Sequence, residues 1–212
     1  VYAYLREAIE ARRPTQVDGR LVEAAKAGVA TLVGEVRGRS GRGLGFRPST
    51  VRGGDQGVAS ATALSVIALT HALRVPELLS REERREVEDC ICSLSSFLSD
   101  WGRKLFRDPV GKCTESFSIL TYTATYPTLG SVLEAYVNSY EMLKGLNPQE
   151  AEKLRALSDL LTSACCELLR RRHCMVERRG ERGEERLDPS TSATASIIIG
   201  LIEYDRAMNV GV

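Results

Sequence analysis

The sequence is poor in the side chains on which most active sites depend. Only two histidines, one tryptophan and three methionines occur among 212 residues. No Cys-x-x-Cys pair and no histidine cluster is present, so a tetrahedral zinc site has no recognisable ligand set. No apolar run approaches the roughly 18 residues that span a bilayer. The formal net charge of +1 disfavours a dedicated nucleic-acid binder, which would be strongly basic.

The six cysteines are distributed as free, buried thiols would be. Cys90 and Cys92, like the neighbours Cys165 and Cys166, fall in segments with helical periodicity. Neighbouring helical residues point in different directions, so neither pair can easily form a disulfide. Free thiols are typical of a reducing compartment, and we therefore expect a cytoplasmic protein. The alternative is zinc bound by ligands from two connections: Cys113, His173 and Cys174.

A repeat organises the chain. Thr62, Thr128 and Thr194 lie 66 residues apart, and each begins a similar apolar run. A fixed period predicts one structural unit stacked on copies of itself. Three-and-four spacing of apolar residues predicts outer helices near 21–37, 82–104 and 149–172 and inner helices near 58–74, 126–144 and 192–208. The predicted fold is all-α, a single domain over 1–212 with repeats at about 21–80, 82–146 and 149–212.

The register of the outer helices is predicted from three sets of equivalent positions. They are 25, 91 and 157; 28, 94 and 160; and 32, 98 and 164. Asn147 is the expected N-cap of the third outer helix, with Glu150 placed for a capping box, while Pro148 falls in the preceding return. The first eleven residues match the back half of an inner helix, so we expect a piece of a longer protein.

The long connections are the expected binding regions, because long loops in compact repeats usually carry function. The first connection is rich in arginine and glycine and is either a flexible linker or an anion cradle at a helix start. The third, 170–186, alternates in charge and is expected to be a solvated loop. Hydroxyls crowd the starts of the inner helices, where they either cap free N–H groups or line a polar mouth.

The repeat unit resembles that of the α/α toroids of terpenoid cyclases and protein prenyltransferases. The resemblance rests on Gly43-Leu-Gly-Phe46, on the run from Ser60 to Leu69 and on the run from Ser192 to Leu201. It implies inner helices that line a central cavity and outer helices around them, forming part or all of a ring. The Asp-x-Asp-Asp motif of the cyclases is absent, and Thr128 and Thr194 stand at helix starts where prenyltransferases carry zinc ligands.

The function predicted is a non-catalytic recognition module that binds a protein, peptide or small ligand at the loop end of the toroid. No catalytic residue, metal or cofactor is predicted, and the partner is another domain of a longer chain, a separate protein or a second copy. The alternative is an isoprenoid-type enzyme with an apolar central cavity. RNA binding on the arginine–glycine loop is weaker, given the near-neutral charge. The expected ligand contacts are Arg47, Arg52, Asp55, Ser60, Thr62, Thr128 and Thr194.

Overall fold

Six helices and one short hairpin make up the part of the chain that the computed structural model describes, residues 19–38, 56–105, 128–172, 176–179, 186–189 and 191–208. The helices are α1 (Gly19–Gly38), α2 (Gln56–Leu73), α3 (Arg81–Leu105), α4 (Thr128–Leu143), α5 (Pro148–Arg172) and α6 (Thr191–Met208). The predominantly helical character is confirmed. Each helix begins and ends within two residues of its predicted bounds.

The helices lie in two rows. The first row is α2, α4 and α6, in which α4 packs against both of the others. The second is α1, α3 and α5, in which consecutive members are also neighbours. Consecutive helices therefore form antiparallel hairpins stacked side by side. The order agrees with the predicted inner and outer helices, whereas the 66-residue period and a closed ring stay predictions.

Burial corrects part of the predicted register. Leu94 is fully buried, but the positions assigned as its equivalents, Gly28 and Leu160, are exposed. On α5 the side chain that enters the core is Leu161 instead. One residue turns a helix by about 100°, so an error of one position moves a side chain from core to solvent.

The interface between α3 and α4 is built around a single large side chain. Tyr136 is completely buried, and its hydroxyl donates to the carbonyl oxygen of Leu98 at 2.9 Å. Gly102 makes room for it, because a Cβ there would collide with the Tyr136 hydroxyl. Burial raises the pKa of Tyr136 well above the usual range of a phenol. Nearby, Ser95 and Ser139 share a buried hydrogen bond of 2.7 Å between their hydroxyls.

The helix starts follow local capping rules. Before α3, the Glu83 amide donates to the Ser80 hydroxyl at 3.3 Å and the Ser80 amide donates to the Glu83 carboxylate at 2.7 Å, a complete capping box. These hydrogen bonds lower the pKa of Glu83. Before α5, the predicted N-cap is confirmed. The side-chain oxygen of Asn147 accepts a hydrogen bond from the Glu150 amide at 3.3 Å.

Two further predictions at these connections need correction. Pro148 is the first residue of α5 rather than part of the return, a position where its missing N–H has no helical partner to lose. The third connection is not simply a loop, because β1 (Val176–Arg179) pairs antiparallel with β2 (Arg186–Pro189). Backbone pairing between the two segments thus satisfies N–H and C=O groups that a loop would leave to water.

Candidate functional site

The structure locates four of the seven predicted contact residues. Arg47, Arg52 and Asp55 lie outside the described residues. Ser60 lies in the second turn of α2, Thr128 is the first residue of α4, and Thr194 lies in the first turn of α6. Thr62 is completely buried within α2. Its role as a ligand contact stays a prediction.

The starts of α4 and α6 are brought together by glycine. A Cβ at Gly130 would collide with the backbone carbonyl of Ser196, and one at Gly200 would lie 2.9 Å from the Gly130 carbonyl oxygen. The two backbones thus approach more closely than larger residues would allow. Thr128 lies two residues before Gly130, and Thr194 lies two residues before Ser196. The first turns of α4 and α6, which contain these threonines, are therefore neighbours.

A polar cluster lies between the other pair of first-row helices, α2 and α4. His71 Nε2 is 4.0 Å from the carboxylate of Glu134, and both side chains are largely buried. This contact is too long for a strong hydrogen bond. It links a side chain of α2 to one of α4 across the interface between the two helices.

Arg74 extends this cluster toward the ends of the same helices. Its guanidinium donates to Asn138 Oδ1 at 2.8 Å and to a Glu141 oxygen at 3.3 Å. Asn138 is buried, and its Nδ2 has no hydrogen-bond partner. The sequence signal for this pair is an asparagine in the second half of α4, and it carries no information about its partner.

A second arginine closes the end of α2. Arg84, on α3, donates to the carbonyl oxygens of Leu73 at 2.9 Å and Val75 at 3.0 Å. The last carbonyls of a helix have no intrahelical donor, so this guanidinium acts as a cap supplied from the next helix. Arg84 therefore has a structural role.

Three of the thiols in the described ranges have raised pKa values. Burial raises the pKa of Cys165 to about 12, and burial likewise raises the pKa values of Cys90 and Cys92. A thiol with a raised pKa is protonated at neutral pH and is a poor nucleophile or metal ligand. No group of three or more His, Cys, Asp or Glu side chains that could hold a metal occurs in the part of the chain that the structure covers. Cys113, His173 and Cys174 lie outside it.

An apolar stripe lies exposed along one side of α6. It consists of Ala195, Ile198, Ile199 and Ile202, all exposed and spaced as one face of a helix. The three isoleucines expose 47%, 44% and 58% of their surface. We call this set the α6 stripe. The sequence does not predict which residues of α6 are exposed, because a pattern apolar on several sides does not reveal which side lacks a neighbour.

A nucleophile needs a base within hydrogen-bonding reach, and the hydrogen bonds of the described side chains include no such pair involving a cysteine. None of the described helices is long and apolar enough to cross a membrane. Comparison with protein-family models, curated proteins and solved structures finds no match. The inference of function therefore depends on the chain itself.

Proposed function

We propose that this chain is a non-catalytic interaction module, built from stacked helical hairpins, that binds a protein partner. The observation that carries this proposal is the α6 stripe, at the open end of the first row of helices. Repeat proteins normally cover their terminal repeats with a polar outer face. A contiguous exposed apolar patch instead marks an interaction site.

The order of the helices supports an α/α toroid, or part of one, as the architecture of the module. In such a fold α2, α4 and α6 are the inner helices, and α1, α3 and α5 are the outer helices. Each hairpin buries its apolar face only against its neighbours, so an unclosed row leaves one face uncovered. The α6 stripe has the apolar composition of such a face.

The burial of α4 favours the interaction module over an isoprenoid-type enzyme. Such an enzyme needs inner helices that present an apolar face to a substrate cavity. From Leu129 to Ser139, α4 is buried at every position except Glu134, which is half-buried. The middle inner helix thus offers no open apolar face to a hydrocarbon chain.

The binding surface proposed here begins at the loop end of the module. Ala195 lies one turn after the start of α6, and the α6 stripe continues from there to Ile202. The stripe therefore begins near the start of α6. Arg47, Arg52 and Asp55 belong to the connection that precedes α2 and stay predicted contacts.

Site-specific photo-crosslinking in cells of the source organism tests the proposal. A photoreactive residue at Ile199 should give an adduct of discrete mass, whereas one at Leu146, which is more exposed and lies in the return after α4, should not. Adding Ile202→Glu should reduce the Ile199 adduct several-fold. Equal labelling at the two positions, or turnover of farnesyl diphosphate by the purified chain with Mg²⁺, would overturn the proposal.

A further inference from the structure

We draw no further inference here: the strongest candidate, the exposed surface patch that the α6 stripe forms on the last described helix, belongs to the site already described, and nothing in the structure shows what covers it.

Discussion

Replacing Gly130 by alanine should destabilise the protein, although alanine is the better helix former. In an exposed helix, glycine to alanine stabilises by up to about 1 kcal/mol. At Gly130 the added Cβ would collide with the backbone carbonyl of Ser196. That carbonyl belongs to α6 and can move only if the helix moves. Overpacking typically costs about 1–3 kcal/mol, so we expect a net loss of about 1–2 kcal/mol.

Two other glycines of the same chain provide the controls. Gly28 lies in the middle of α1, where an added Cβ would have nothing within 4 Å of it, so Gly28→Ala should stabilise by up to about 1 kcal/mol. Gly200 is intermediate, since its Cβ would lie 2.9 Å from the Gly130 carbonyl oxygen and 3.3 Å from the side chain of Leu133. The free energy of unfolding should therefore decrease in the order Gly28→Ala, Gly200→Ala, Gly130→Ala.

Urea unfolding followed by far-ultraviolet circular dichroism measures these differences. The midpoint should change while the slope with denaturant stays constant, which would show that the compactness of the folded state is unaltered. Between the Gly28 and Gly130 variants we expect about 2–3 kcal/mol, from the propensity and overpacking values together. If Gly130→Ala stabilises the protein as much as Gly28→Ala does, the close contact between α4 and α6 is wrong.

Substitutions at three further positions and one titration test other contacts of the fold. Tyr136→Phe removes a buried hydrogen bond and should cost about 1 kcal/mol in urea unfolding, and an unchanged midpoint would contradict the contact. Asn147→Ala removes the N-cap of α5 and should also cost about 1 kcal/mol, whereas Asn147→Asp should retain most of the stability that the cap provides. Arg74→Met leaves the buried Asn138 oxygen without a donor and should cost about 1–3 kcal/mol, much of which a second change, Asn138→Leu, should restore. Since burial raises the pKa of Cys165 to about 12, its thiol stays protonated when the unfolded thiol, with a pKa near 8.5, has ionised. Its contribution to stability is therefore complete below about pH 8.5 and decreases up to about pH 12, and Cys165→Ala should make the alkaline loss of stability less steep.

The helices could be predicted because their signals are local. Apolar spacing, prolines and an asparagine cap each act within one or two turns, and Asn147 does cap α5. On α5, Leu157 and Ala164 are buried as the predicted face requires, but the choice between Leu160 and Leu161 could not be predicted. An apolar run that includes both Leu160 and Leu161 fits either register, and only the position of the neighbouring helices decides that Leu161 is buried.

The candidate site was less predictable, because it depends on contacts between distant residues. The pairing of Arg74 with Asn138 joins positions 64 residues apart, and neither residue has a pattern that indicates the other. The hydroxyls at helix starts had a simple local interpretation, yet Thr62 is buried. The β1–β2 pairing also arises from backbone hydrogen bonds between two charged segments, which hydrophobic periodicity does not detect.

The distribution of polar and apolar contacts explains why the α6 stripe, rather than the polar cluster of α2 and α4, is the better binding surface. Arg74 already donates to Asn138 and Glu141, so a ligand there would have to replace hydrogen bonds that the fold has made, with little net gain in free energy. Ile199 and Ile202 keep about half of their surface in water. Transfer of that surface to a partner is favourable and breaks no existing contact. The free energy available for association in this part of the molecule therefore lies mainly on α6.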